Sequence, residues 1–189
     1  MTILDLINKS AIMLNIQEVL NDVDVSNITI YSEPQVLESN FALNRLYQFA
    51  KIVVNEINSY QPTIKEVELN STDKQIAFDQ LENMSKIISV KNEYGFIKCK
   101  FSDSHIRFEQ DGKYTIAYAQ AIKINSVFDE IALNVDEIGE DMFIAGVNAY
   151  YCLATGLFQE FNVYNTNYIN KLGRLKNLKL FAMPCRSWE

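Results

Sequence analysis

The chain has 189 residues, of which 48% are hydrophobic and 22% are charged, a composition typical of a globular protein with one domain and a well-packed core, or with two small domains. The formal net charge of −7 argues against a general nucleic-acid binder, because such binding needs an excess of Lys and Arg. The three cysteines, Cys99, Cys152 and Cys185, are too few and too irregularly spaced for a disulfide framework or a four-thiolate zinc site. We therefore expect reduced thiols.

The first residues predict a short amphipathic helix. Thr2 and Asp5 have the spacing of a capping box, and apolar residues recur at helical intervals at Ile3, Ile7, Ala11 and Leu14. The stretch has neither a basic start nor a small-residue cleavage site, so we expect no signal peptide. No apolar run reaches the ~20 residues of a membrane span, so we expect no membrane partner.

A second, long helix is predicted over "EPQVLESNFALNRLYQFAKIVVNEINSY". Pro34 suits its first turn, where the missing N–H would have no partner, and Pro62 ends it. Its apolar stripe consists of Ala42, Leu46, Phe49, Ala50, Val53 and Ile57.

The spacing of the apolar residues then changes from helical to alternating. Residues from about Ile64 to Ala119 form short segments rich in Ile, Val, Phe and Tyr, which predicts an antiparallel β module of five or six strands. Two hairpin turns are predicted, at "NEYG" and at "EQDGK", and Asp111-Gly112 is the stronger signal of the two.

The helical period returns near the C-terminus. One helix begins at Glu140 and Asp141 and ends near Gly156, and a last helix over "FQEFNVYNTNYINKLGRLKNL" is expected to break near Gly173. The predicted class is α+β, with a four-helix body and an antiparallel β module inserted between the second and third long helices. The expected parts are residues 1–62, 63–124 and 125–189, in one compact unit overall.

The last two helices have complementary faces. Small residues share one face of the first helix, at Ala145, Ala149, Cys152 and Gly156. Large residues share one face of the second, at Phe158, Phe161, Tyr164 and Tyr168. This pattern predicts a tight helical hairpin in which Cys152 is a small buried hydrophobe.

Catalytic patterns are weak in this sequence. Cys152 as a nucleophile with His105 as its base is the alternative to packing, but "YYCLA" offers no group that would lower the thiol pKa. The chain has one histidine and no glycine-rich phosphate loop. The acidic run lacks calcium-loop spacing and is interpreted as a solvated connector, with carboxylates at Asp129, Glu130, Asp136, Glu137, Glu140 and Asp141. We expect no enzyme, cofactor or metal.

Several phrases of the sequence resemble the head–tail connector or adaptor proteins of tailed bacteriophages, of the tail tubular protein A-like or head-completion type. In the β module the resemblance rests on Gly112, Tyr114, Thr115, Ile116 and Tyr118. In the hairpin it rests on Ala149, Tyr151, Cys152, Leu153, Gly156, Phe158, Glu160 and Tyr168. In the tail it rests on Met183, Pro184, Arg186 and Trp188.

The resemblance implies a structural protein of the virion neck, present in the host cytoplasm during assembly. It implies a ring, commonly of twelve subunits, that lies below the portal protein and joins a tail protein or second adaptor. Genome DNA would pass through the lumen without sequence-specific binding. The alternative is a monomeric binding module outside the virion, with a sheet face that holds a peptide or sugar.

The C-terminal segment has a basic part and an apolar part. The basic part is either a contact for an acidic portal patch or for DNA, or a solvated face, and it contains Lys171, Arg174, Lys176 and Lys179. The apolar tail is expected to dock on the portal or a neighbouring subunit, through Phe181, Met183, Pro184, Arg186 and Trp188.

Overall fold

The structure, a computed structural model, describes residues 1–16, 33–133 and 138–181, with side chains as far as residue 175. Helices and antiparallel sheets are both present, which confirms the α+β class. We expect one compact unit from the sequence, whereas the chain divides into two. A helical unit comprises Met1–Gln61 and Ile124–Glu189, and a sheet unit comprises Pro62–Lys123.

The described part of the helical unit has five α-helices: α1 (Ile3–Met13), α2 (Glu33–Ser39), α3 (Phe41–Tyr60), α4 (Glu140–Thr155) and α5 (Phe158–Phe181). The capping box at the start of α1 is confirmed. The Thr2 hydroxyl accepts a hydrogen bond from the Asp5 backbone N–H over 3.1 Å, and the Asp5 carboxylate accepts one from the Thr2 N–H over 2.9 Å.

The predicted single helix after Glu33 is two helices, α2 and α3, that meet at Asn40. Asn40 leaves the helical region with φ −113° and ψ 100°, and its side-chain oxygen accepts a 2.9 Å hydrogen bond from the Leu43 backbone N–H. Asparagine is a strong N-cap residue because its side chain replaces a missing helical acceptor. The predicted apolar stripe begins at Ala42, after this break, so the stripe does not reveal it.

The helix α5 continues through Gly173, where the sequence analysis expects a break. A glycine in a helix interior costs about 1 kcal/mol relative to alanine. The buried side chains of Leu172 and Leu175 on either side hold the helix in place. Packing of these neighbours outweighs the low helix propensity of the glycine.

The core of the helical unit lies between α1, α3 and α4. Its fully buried side chains include Ile3, Leu6, Ile7, Leu43, Leu46, Ile57, Met142 and Phe143. Buried Glu33, at the start of α2, binds the segment that follows the sheet unit. Its carboxylate accepts hydrogen bonds from the Val127 N–H over 2.8 Å and from the Ser126 hydroxyl over 2.6 Å. These bonds satisfy a buried carboxylate that would otherwise be costly.

The sheet unit has seven strands: β1 (Ile64–Asn70), β2 (Gln75–Ala77), β3 (Met84–Asn92), β4 (Gly95–Phe96), β5 (Lys100–Phe101), β6 (His105–Arg107) and β7 (Lys113–Gln120). They form a four-stranded antiparallel sheet of order β1-β7-β3-β4 and a three-stranded one of order β2-β6-β5. Both sheets contribute to one apolar core, made by Ile76, Leu81, Val90, Ile106, Phe108, Tyr114, Ile116 and Tyr118.

Of the two predicted hairpin turns, one is confirmed and one is wrong. "NEYG" joins β3 to β4, with Asn92 paired to Gly95 and Gly95 at φ 124°. Asp111-Gly112 connects β6 to β7, which belong to different sheets, so it does not form a hairpin turn. The Asp111 carboxylate accepts hydrogen bonds from the Ser71 hydroxyl over 3.0 Å and the Lys74 N–H over 2.6 Å. Asp111 therefore ties this loop to the loop after β1.

Candidate functional site

The α4–α5 hairpin contains most of the residues that the sequence analysis selects. Ala145, Ala149 and Cys152 on α4 are all buried, at 4%, 3% and 0% exposure. On α5, Tyr168 is buried and Phe161 and Tyr164 are half-buried. The small residues of α4 and these aromatic residues of α5 therefore lie on the packed sides of their helices.

Two residues of the predicted hairpin contact lie elsewhere. Gly156 ends α4 at φ 78° in the left-handed conformation, where its N–H reaches back to α4, and a Cβ there would meet no atom within 4 Å. Phe158 begins α5 and is 63% exposed. Both belong to the turn between the helices rather than to the contact.

A close approach in the hairpin occurs at Gly146, which the small-residue spacing does not include. A Cβ at Gly146 would lie 2.8 Å from Cε2 of Tyr168 and 2.9 Å from Cγ1 of Val53. The absence of a side chain at Gly146 thus leaves space for Tyr168 of α5 and Val53 of α3 at the same point. The sequence holds a signal for this, since glycine is disfavoured inside a helix unless a close contact requires it.

A carboxylate of α3 joins the hairpin at its buried side. Oε2 of Glu56 accepts hydrogen bonds from the hydroxyls of Tyr168, over 2.9 Å, and Tyr150, over 3.1 Å. Burial, followed by the Glu56 carboxylate, raises the pKa of both tyrosines above the ordinary value. Both phenols are therefore held in the protonated state that donates to Glu56.

A small cleft of about 130 Å³ opens beside this cluster. Its lining is mainly apolar and includes Ala149, Leu153, Phe161 and Ile169, with Glu56 and the two tyrosines at the polar end. Leu153 and Ile169 are 47% and 53% exposed. With Leu157 and Phe158 in the turn, they form an exposed set that we call the hairpin apolar patch: Leu153, Leu157, Phe158 and Ile169.

Only two of the predicted basic residues, Lys171 and Arg174, have side chains that the structure describes. Lys171 forms an ion pair with Asp141, in the first turn of α4, and its side chain is 20% exposed. Arg174 is exposed. The side chains of Lys176, Lys179 and Phe181 lie outside the described residues, as do Met183, Pro184, Arg186 and Trp188. Lys171 is therefore not available as a free cation for an acidic partner or for DNA.

The proposed Cys–His pair is not supported by the surroundings of either residue. Cys152 is fully buried, and burial, followed by the Glu160 carboxylate, raises the pKa of its thiol. A nucleophilic thiol needs a lowered pKa. His105 lies in β6 of the sheet unit, where Nδ1 is 2.6 Å from the Ser104 hydroxyl.

Some carboxylates of the acidic run between the sheet unit and α4 form hydrogen bonds or an ion pair. Asp129 accepts hydrogen bonds from the backbone N–H groups of Asn125 and Ser126, and Glu140 pairs with Lys9. Asp136 and Glu137 lie outside the described residues. Within residues 1–16, 33–133 and 138–181, no three His, Cys, Asp or Glu side chains are grouped to hold a metal ion.

No helix in the described part of the chain is both long enough and apolar enough to span a lipid bilayer. Comparison with known proteins gives no family model that matches this chain and no curated relative.

Proposed function

We propose that this protein is a structural component of a tailed-bacteriophage virion, a head–tail connector or adaptor. In this proposal it assembles as a ring, commonly of twelve copies, below the portal protein. The ring extends the DNA channel and binds the next tail component. It acts in the virion neck, after assembly in the host cytoplasm, and has no catalytic role.

The hairpin apolar patch is the observation that supports this proposal. Four large apolar side chains of the hairpin, two in the turn and one on each helix beyond it, are 43% to 63% exposed. Phe158 and Ile169 lie about three turns apart on α5, so they share one side of the helix. Exposed apolar residues that cluster in this way are typical of a protein–protein contact.

The chain order fits the architecture that the resemblance implies. The sheet unit lies between α3 and α4 in the chain, so the helical unit is made of two separated segments. In the proposal the long helices form the four-helix body of a ring subunit, and the sheet unit is a module inserted into it. A heterologous ring needs two different faces on each subunit, and the two units can supply them.

Light scattering on the purified chain, alone and mixed with the portal protein of the same phage, tests the proposal. We expect either a ring or a monomer that joins the portal in a fixed ratio. A monomer that does not bind the portal contradicts the proposal.

Two variants of α5 make the test specific to the hairpin apolar patch. Phe158→Ser/Ile169→Ser removes two side chains of the patch, and each buried apolar side chain contributes about 1.5–3 kcal/mol. We expect portal binding to weaken by more than about 10-fold. Val163→Ser is the control, because Val163 is also exposed, at 69%, but lies on a different side of α5. Its effect should stay within about twofold.

One observation favours the alternative of a monomeric binding module. A polar cleft of about 420 Å³ lies at the end of the sheet unit, lined by Asn92, Gln110, Lys113 and the exposed Tyr94. Such a cleft offers hydrogen-bonding groups and an aromatic ring to a sugar or peptide. A chain that is monomeric, ignores the portal and binds an oligosaccharide would support this second function.

A further inference from the structure

The charge of the protein is unevenly divided between its two units. Residues 62–123 contain nine Lys or Arg and nine Asp or Glu side chains, so the sheet unit has a formal net charge of zero. The net charge of −7 therefore belongs entirely to the rest of the chain. The composition argument against nucleic-acid binding thus applies to the helical segments and not to the sheet unit.

Cationic side chains of the sheet unit collect on one side of the chain between β4 and β6. Ile97 and Cys99 pack against the apolar core, so the alternate residues Phe96, Lys98 and Lys100 point away from it, and all three are exposed. The segment from residue 96 to residue 100 spans roughly 13 Å at about 3.3 Å per residue.

Arg107 extends this row onto the next strand. It pairs in register with Lys100, so the two cations lie directly opposite each other on one face of the β5–β6 ladder. Like charges at such a pair destabilise a sheet. Among the described residues, Lys98, Lys100 and Arg107 have no ion pair with a carboxylate. An anion bound between them would remove the repulsion.

Aromatic rings continue the row at its other end. Phe96 pairs in register with Lys91, whose Nζ lies 5.0 Å from the centroid of the Phe96 ring. Phe96 nevertheless remains 76% exposed, and Tyr94, in the turn between β3 and β4, is 86% exposed. Phe101 is also exposed, at 59%, but it pairs in register with Ile106 and therefore lies on the opposite face of the β5–β6 ladder from Lys100.

Together these residues form what we call the basic–aromatic strip: Lys91, Phe96, Lys98, Lys100 and Arg107. Several carboxylates lie near it, including Glu93 in the turn between β3 and β4 and Asp103 between β5 and β6. Lys91 is 3.9 Å from Glu66, and Lys98 lines a cleft that also contains Glu109. Within the described residues, three cations of the strip therefore have no ion pair.

We infer that the basic–aromatic strip is a contact surface for single-stranded nucleic acid. Unpaired cations can neutralise successive phosphates, and an exposed ring on a sheet surface can stack on an unpaired base. An acidic protein surface could also pair with the cations. It has no bases that would stack on the exposed rings, however. This inference does not depend on the proposed neck function.

Fluorescence anisotropy of a labelled 20-nucleotide oligothymidylate, titrated with the full chain, tests the inference. We expect saturable binding whose log affinity falls with log salt concentration at a slope of about −2, since each of three cations contributes about 0.7 on single strands. The variant Lys98→Gln/Lys100→Gln should reduce that slope by about 1.4 and the affinity at 0.1 M salt by about 25-fold. Phe96→Ala should weaken binding by about 5-fold or more through lost stacking.

The matched control is Lys65→Gln/Lys113→Gln. It removes the same charge from the same unit, but these lysines are paired with Glu82 and Glu68. Its affinity should stay within about threefold of that of the parent chain at 0.1 M salt, because neither lysine belongs to the basic–aromatic strip. Circular dichroism verifies that each variant folds.

Three results would overturn the inference. The first is the absence of saturable binding at 50 mM salt. The second is equal affinity for a duplex of the same length with no effect of Phe96→Ala, which indicates a purely electrostatic contact with DNA. The third is displacement of the oligonucleotide by an equal charge concentration of polyglutamate, which indicates a surface for an acidic protein.

Discussion

The hydroxyl of Tyr168 on α5 donates a 2.9 Å hydrogen bond to Oε2 of Glu56 on α3, and this bond crosses the helical unit. Tyr168 is 2% exposed, whereas Glu56 is half-buried. Its ring also fills the space left by Gly146 on α4. One side chain thus connects three helices.

Removal of this hydroxyl should destabilise the protein measurably. We expect Tyr168→Phe to lower the free energy of unfolding by about 1.5–3 kcal/mol, because the lost bond is donated by a buried hydroxyl to a carboxylate. Tyr150→Phe is the control, since Tyr150 donates to the same oxygen over 3.1 Å from a half-buried position. Urea unfolding of both variants should show the larger loss for Tyr168→Phe, and an equal loss would contradict this explanation.

The same tyrosine predicts a pH dependence above pH 10. Burial raises the pKa of Tyr168 above its ordinary value of 10.0, with Glu56 as the second cause. A raised pKa stabilises the folded state fully below pH ~10, and the stabilisation is lost as the pH rises further and the unfolded tyrosine ionises. Stability measured from pH 8 to 11 should decline less steeply for Tyr168→Phe than for the parent chain.

Two glycines inside helices should respond with opposite signs to alanine. Gly146→Ala places a Cβ 2.8 Å from Tyr168 and 2.9 Å from Val53, and such overpacking costs about 1–3 kcal/mol. At Gly173 no atom lies within 4 Å of a new Cβ, so Gly173→Ala should stabilise by up to about 1 kcal/mol through helix propensity. Thermal unfolding of the pair measures both effects. Stabilisation by Gly146→Ala would show that the contact is not tight.

Local signals in the sequence predicted local structure well. The Thr2–Asp5 capping box and the Asn92–Gly95 turn are both confirmed, because each depends on residues within four positions of one another. The helix break at Asn40 is not predicted, because the apolar stripe begins only after it, at Ala42. Asp111-Gly112 was assigned a hairpin because the dipeptide fits one, whereas its partners, Ser71 and Lys74, are distant in sequence.

Features that join distant segments could not be predicted from the sequence. Nothing near Glu56 indicates that two tyrosines about 100 residues later donate to it. The basic–aromatic strip was also missed, because the overall charge of −7 hides a neutral sheet unit. Register pairing places Arg107 opposite Lys100, and the sequence alone does not specify that register.

The buried carboxylate of Glu33 should be required for stability of the helical unit. Glu33→Ala leaves the Val127 N–H without its acceptor, and an unsatisfied buried group costs about 1–3 kcal/mol. Glu38→Ala in the same helix is the control, because Glu38 is exposed and a surface change of this kind stays within about 0.5 kcal/mol. Chemical unfolding compares the two, and similar values would show that the Glu33 bonds do not contribute.

Cys152 should behave as a packing residue and not as a nucleophile. Its thiol is fully buried and its pKa is raised by burial, so iodoacetamide should modify it only when the helical unit opens. We expect Cys152→Ser to cost about 1–3 kcal/mol, since it places a hydroxyl in an apolar site. Mass spectrometry of a Cys185→Ser background at pH 7 should show that modification of Cys152 accelerates with urea. Rapid modification of Cys152 in the folded protein, faster than that of half-buried Cys99, would instead indicate an activated thiol.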